Sequence, residues 1–457
     1  MKFELVKTII LTFLVGLSFL LTFAIWNYDR SFDTADNTDQ STEAVLKGAE
    51  ENKESLLEPY QMVFHRDGTI VGFAEKEKEL DTFQYVSQLH LYDFRMLDDN
   101  DSSGESESGN YVEIIFPTSM PSSYIREIFS SDEPSEIDTE FKSIKLFLDQ
   151  NRETSQIIFE NSDPYGIDIR ANIQNLPQVI KHFDEVFTEG EFITYLPVEV
   201  RNDQTVYLPQ DPNIKGKQFR YTTINTDSET FQSIFFLNPQ DVQSSPNPEG
   251  GQTYSDGSRG MLVRRYFMEF TDYSTNEFSQ SNQSEGMPLQ SIGDQLLTNS
   301  IEHINSHNGW LKDEDQIEYR LYDLDVSSEE IEYRMTYNNY PVFSLNSSQD
   351  IATMSLEYLN GKLFKYSRPL MILTQSYDRS DKKLMTADEL VSFLEESEHY
   401  SLDRILNIQL GYRIEQQAAQ VFDLIPTWSV QTYNGWQVIT KSMVINQGGQ
   451  TNAMGTN

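Results

Sequence analysis

Three patterns in the chain place side chains of chemically useful types close together. Ser380 and Lys383 form a Ser-x-x-Lys step, the spacing in which a lysine can serve a serine nucleophile. No companion Ser-Asp-Asn or Lys-Thr-Gly accompanies it, and Asp378 and Asp381 crowd the same stretch, so it reads as an exposed linker. His303 and His307 stand four apart, close enough on a helix to reach one metal ion. Glu302 is not placed as a third ligand on that face, so the pair reads as part of a solvated helix face. The acidic tract from Asp98 to Asn110 resembles a calcium loop in outline, with Asp99, Asp101, Ser103 and Gly104 in order. Counting a calcium loop from Asp99 puts Asn110, not the bidentate Glu, at its last position. No Gly-x-Ser-x-Gly elbow, Walker loop or His-Glu-x-x-His occurs. The sequence therefore offers no catalytic residues, no metal ligands and no cofactor site, and reads as no enzyme.

The elements that position these residues begin with a membrane anchor. Ile9 to Trp26 is uncharged, and twelve of its residues are Ile, Leu, Val or Phe. As a helix it rises about 27 Å, near the hydrocarbon thickness of a bilayer. Lys2 and Lys7 precede it and Asp29, Asp33, Asp36 and Asp39 follow, which predicts a cytoplasmic N-terminus and an outside body. Trp26 and Tyr28 fall at the expected interface. The run ends without a small-x-small cleavage site, so an uncleaved single-pass anchor is expected rather than a signal peptide. On its wheel Thr8, Thr12, Gly16, Ser18 and Thr22 share one arc, the small and hydroxyl face on which membrane helices pack.

Composition narrows the rest. The chain has 457 residues and a formal net charge of −38, from 72 acidic and 34 basic side chains. That charge repels phosphates, which excludes nucleic acid as a partner. With no cysteine there are no disulfides, thiol nucleophiles or lipoprotein anchor. Aromatic residues reach 12%, enough to build cores.

The pattern predicts an α+β protein: one N-terminal transmembrane helix, then several extracytoplasmic domains of antiparallel sheets and packed helices. The expected layout is a tip and anchor over 1–30, a juxtamembrane spacer over 31–58, an N-terminal domain over 59–190, a middle domain over 191–287 and a C-terminal region over 288–457. Folded structure is expected from near Tyr60, with a hairpin at Asp67-Gly68. Strands are expected at Tyr111 to Phe116, Phe141 to Leu148 and Gln156 to Glu160. A helix carrying Leu176, Val179, Ile180, Phe183 and Phe187 closes the first domain. In the middle, Tyr195 to Val200 reads as extended, Phe231 to Phe236 as helical, Gly260 to Phe270 as one strand and Ser274 to Gly286 as a linker.

The last third reads as an approximate repeat, over about 288–380 and 381–445. Each unit opens with a helix. The first carries Leu297, Ile301 and Ile304 and stops at Asn308-Gly309; the second starts at the capping box Thr386 to Glu389. Alternating strands follow. Tyr340 to Leu345 matches Ile425 to Val430 in pattern, and Asn360-Gly361 matches Asn434-Gly435.

Lys7 to Thr12, Leu17-Ser18 and Trp26-Asn27-Tyr28 resemble the N-terminal anchor of the YycH family. Tyr254 to Gly260 and Leu424 to Val430 are similar to further segments of that family. The resemblance implies a bitopic regulator of the essential WalK/WalR (YycG/YycF) two-component system of low-GC Gram-positive bacteria, acting on the histidine kinase WalK together with a sister protein, YycI. It also implies three extracytoplasmic α and β domains, with PepSY-like modules toward the C-terminus, and no catalytic residues. An anchored binding module for a cell-wall polymer or peptide is the alternative reading.

Overall fold

Asp67 and Gly68 both adopt left-handed backbone, φ 50° and 77°, the geometry of the two-residue turn that matches strand twist. Similar Asn- or Gly-bearing turns, Asn360-Gly361 among them, recur in this computed structural model. It describes residues 7, 46, 48–97, 110–131, 137–148, 156–163, 165–201, 204–223, 228–277, 288–312, 317–345, 350–379, 383–397, 399–418 and 421–439. Among them no helix is long and apolar enough to cross a membrane. The expected anchor, including Thr8, Thr12, Gly16, Ser18 and Thr22, lies outside the described residues.

The body is α+β, with two large sheets and few helices. The first sheet contains β1 (Gln61–Arg66), β2 (Thr69–Phe73), β3 (His90–Met96), β4 (Tyr111–Pro121), β5 (Ser130–Ser131), β6 (Glu140–Phe147), β7 (Gln156–Glu160), β8 (Ile169–Ile173), β9 (Phe192–Glu199) and β10 (Thr205–Pro209). Its spatial order is β10-β9-β2-β1-β4-β6-β7-β8-β3-β5. Helix Leu176–Glu189 covers it with Val179, Ile180 and Phe183, the stripe read from the sequence.

The second sheet contains β11 (Lys217–Thr223), β12 (Gln243–Pro246), β13 (Gln252–Ser255), β14 (Arg259–Val263), β15 (Phe267–Asp272), β16 (Ile317–Asp325), β17 (Glu330–Tyr337), β18 (Tyr340–Ser344), β19 (Thr353–Leu359), β20 (Lys362–Pro369), β21 (Met371–Asp378), β22 (Asn407–Ala418), β23 (Val421–Thr432) and β24 (Gly435–Val438). One apolar core runs through both sheets, from Phe64, Phe116 and Phe159 to Trp310, Tyr333 and Tyr366. A smaller core gathers Val198 and Leu208 against Leu390, Leu394, Ile408 and Trp428.

Four expectations are corrected here. Order begins before Tyr60. Leu46, Leu56 and Leu57 are buried, and a short helix, Lys53–Leu56, stands where the spacer was expected. The segment 191–287 has no sheet of its own: β9 pairs β2, whereas β15 pairs β20. Its strands complete sheets begun elsewhere, because a strand left at an edge exposes unpaired amides and carbonyls. Gly260 to Phe270 is a hairpin rather than one strand, since Arg264 donates its amide to Phe267 O at 2.8 Å between β14 and β15. Finally, the elements over the expected repeat align differently from the sequence pattern. In each unit a helix (Leu289–Asn305, then Ala387–Glu396) precedes a hairpin and a short third strand, β16-β17-β18 and β22-β23-β24. Ile425 to Val430 thus lies inside β23, the counterpart of β17, and the turn Tyr433-Asn434 takes the place of Asn338-Asn339. A parallel contact, Val342 opposite Tyr412, joins the two units.

Local reasoning holds at the helix ends. Thr386 accepts from the Glu389 amide at 3.2 Å, and Glu389 accepts from the Thr386 amide at 2.9 Å, the reciprocal box expected. Asn308, at φ 51°, ends its helix as the Asn-Gly stop predicted.

Candidate functional site

Of the chemical patterns in the sequence, Lys383 is exposed and 3.6 Å from exposed Asp211, while Ser380 and the tract 98–109 lie outside the described residues. Among the described residues no group of three or more His, Cys, Asp or Glu is placed to hold a metal ion.

His303 and His307 are placed differently from the solvated face expected of them. Helix Leu289–Asn305 carries His303, His307 lies in the turn just past its end, and His307 is only 2% exposed. The His303 and His307 rings lie 5.3 Å apart, between Phe235 and Tyr366. Arg368 is fully buried beside them. Its guanidinium donates to Gly309 O at 2.5 Å, Pro369 O at 3.3 Å and Tyr366 Oη at 3.1 Å, and approaches His307 Nε2 at 3.4 Å. No carboxylate pairs with Arg368 among the described residues. Its compensation is the cluster of carbonyls just past the helix C-terminus, where the negative end of the helix dipole favours a cation. Burial, reinforced by Arg368, pushes His303 down to about 4 and His307 down to about 2, so both rings are neutral.

Residues 46 and 48–58 strap this cluster from outside. Leu46 donates to His307 O at 2.9 Å, and Ala49 and Trp310 exchange backbone bonds at 2.8 and 3.2 Å. Asn305 receives the Glu51 amide at 3.0 Å and donates to Glu51 O at 2.9 Å. Lys312 pairs with Glu51 at 3.0 Å, and Arg320 with Glu58 at 2.7 Å. Gly48 is required: a Cβ there would sit 2.1 Å from Asn308 O. The segment leading out of the expected anchor is therefore bonded, backbone to backbone, into the end of a core helix.

A second feature lies on the outer face of the first sheet, a cleft of about 460 Å³ between β4, β6, β7 and the β9-β10 hairpin. Two ionic groups line it. Glu113 meets His65 Nε2 at 3.1 Å and accepts from Tyr207 Oη at 2.9 Å. Lys145 pairs with Glu160 at 2.7 Å, and Ser143 donates to the same carboxylate at 3.0 Å. Burial pushes the Glu160 carboxyl above its usual range, offset in part by Lys145.

These features define an α+β body with two extended mixed sheets, a strapped helix end and a polar cleft. The N-terminal domain model of YycH proteins matches residues 4–187, and the C-terminal domain model matches residues 203–448. The chain belongs to the YycH family. It is 20% identical to the Bacillus subtilis (strain 168) two-component system WalR/WalK regulatory protein YycH, over 98% of this chain and 99% of that protein. The crystal structure of YycH from Bacillus subtilis superposes with a TM-score of 0.65 at 15% identity, covering 86% of this chain and 99% of that one. The fold is thus that of YycH.

Proposed function

We propose that this protein is a membrane-anchored, non-enzymatic regulator of a WalR/WalK two-component system. The carrying observation is the family match along both halves of the chain, to a relative of nearly equal length bearing that regulatory name. The uncharged run Ile9 to Trp26 supports a single-pass anchor with the body outside the cell. Its small face, Thr8, Thr12, Gly16, Ser18 and Thr22, would pack against the histidine kinase WalK and a YycI-like sister protein. The two helix-and-hairpin units are consistent with PepSY-like modules. A regulator of this kind shifts a kinase only by binding its two states unequally.

The strap gives such a shift a route, because a change in the body would reach residues 46 and 48–58 through the bonds to His307 and Trp310. Photocrosslinking from Gly16 in the intact membrane, followed by identification of the captured chain, tests the proposal. Recovery of a histidine kinase is expected. Capture of lipid alone would refute the packing face and leave the alternative, an anchored module binding a wall polymer or peptide.

A further inference from the structure

The second sheet carries a polar cleft whose charges do not all pair off. β17 contributes Glu330, Glu332 and Arg334, alternate residues and therefore on one face of the sheet. Asp323 stands opposite Glu332 on β16, and Ser355 stands opposite it on β19. Over this floor lies a cleft of about 380 Å³, walled by Tyr322, Phe343 and Trp436. Six carboxylates line it, Glu269, Asp323, Glu330, Glu332, Asp350 and Glu357, against the two cations Arg334 and Lys365. Most are satisfied within the protein. Lys365 sits 3.5 Å from Glu269 and 3.4 Å from Glu357. Asp323 accepts the Thr118 hydroxyl at 2.9 Å, Asp350 the Ala352 amide at 2.8 Å, and Glu330 the Ser355 hydroxyl at 3.1 Å. Arg334 and Glu332 are the exceptions. Among the described residues the Arg334 Nε–H meets no acceptor, although the side chain is only 6% exposed, and its hydrogen bond to Val342 O is long at 3.5 Å. Its guanidinium lies instead over the Tyr322 ring at 4.1 Å. Glu332 accepts no hydrogen bond among the described residues, and Arg334 stays 3.8 Å away.

Those two shortfalls select the ligand. A guanidinium this buried and short of acceptors favours a carboxylate, whose two oxygens match its fork. An anion alone would meet the excess of carboxylates, so the same molecule has to bring positive charge. Glu332 supplies the place for it. Burial raises its carboxyl to about 7 against the pull of Arg334, with Asp323, Glu330 and Asp350 adding to the rise, and an ammonium would stabilise the ionised form. Farther along β17, Glu330 and its cross-strand neighbour Glu357 extend the negative row. Trp436, its ring 5.1 Å from that of Phe343, offers an apolar surface beside that row. The volume falls within the range of small-molecule sites. We propose that this cleft binds a free dibasic amino acid, its α-carboxylate on Arg334, its α-ammonium on Glu332 and its side-chain ammonium toward Glu330 and Glu357, with the aliphatic stem on Trp436. This does not rest on the regulatory reading, which concerns the anchor and its partners.

The test is calorimetric titration of the full chain in detergent micelles, at about pH 7, with L-lysine, cadaverine, Nα-acetyl-L-lysine and acetate. Lysine is expected to bind. Cadaverine, which lacks the carboxylate, and the acetylated lysine, which lacks the α-ammonium, should each be weaker by about tenfold, and acetate should give no heat. Because the Glu332 carboxyl is about half protonated at that pH, lysine should release about half a proton, read from the heats in buffers of different ionisation enthalpy. Glu332→Gln should abolish that release and lower lysine affinity by about tenfold, with a melting temperature at or above the parent's. Arg334→Lys should weaken lysine by about tenfold yet leave cadaverine within about threefold, a split that a general loss of packing would not give. If Arg334→Lys fails to fold, Glu332→Gln decides alone. No heat with lysine, cadaverine or acetylated lysine binding as tightly as lysine, or a Glu332→Gln protein that keeps its affinity and its proton release would each overturn the site. Kinase capture by the anchor could succeed or fail independently of these results.

Discussion

The buried pair of histidines makes the stability of this protein acid-sensitive in a way one substitution can isolate. His307 is 2% exposed, beside Arg368, and its ring is held neutral far below the usual histidine range, at about 2. In the unfolded chain it titrates near 6.5. As pH falls below that value the unfolded state takes up a proton that the folded state refuses. Stability is thus fully present above about pH 6.5 and lost progressively down to the folded value. Between pH 7.5 and 4.5 the loss from this side chain is about two pH units' worth, or about 2.7 kcal/mol. Other groups titrate in the same window, some with the opposite sign: Glu332, pushed up to about 7 by burial, gains stability as pH falls. The test is therefore a difference. His307→Gln keeps an acceptor for Arg368 but cannot titrate. It should cost about 1–2 kcal/mol at pH 7.5, from imperfect packing and hydrogen bonding. At pH 4.5 it should be the more stable protein by about 1 kcal/mol. Urea unfolding at the two pH values, followed by the fluorescence of neighbouring Trp310, reads both numbers. A parent-minus-variant difference that does not move with pH would refute the buried, neutral assignment.

Three further outcomes follow from the same structure. Gly48→Val should free the strap, because its side chain would meet the Asn308 and Trp310 carbonyls; hydrogen exchange at Leu46 and Ala49 should accelerate while crosslinking through the anchor persists. Thr386→Ala should destabilise by about 1 kcal/mol in urea by removing the cap that accepts the Glu389 amide; a change below about 0.3 kcal/mol, the noise of such unfolding curves, would mean the helix end is held by tertiary packing instead. Gly16→Ile should weaken association with the kinase in a bacterial two-hybrid assay by closing the small-residue face; undiminished signal would remove that face from the proposal.

The sequence by itself determined the local grammar of this protein. Asp67-Gly68, Asn308-Gly309 and the Thr386 box are where they are because a left-handed φ or a capped amide is decided by two to four neighbouring residues. Amphipathic stripes such as Val179, Ile180 and Phe183 were likewise legible, since burial follows a period of 3.6. Tertiary structure alone decided the pairing of β9 with β2 and of β15 with β20, which leaves the expected middle domain without a sheet of its own, because hydrogen-bond partners so distant in the chain leave no local trace. It also decided the fate of single polar residues. The same spacing that suits a solvated histidine pair suits a buried one, and only the packing of Arg368 and the strap beneath Trp310 distinguishes them.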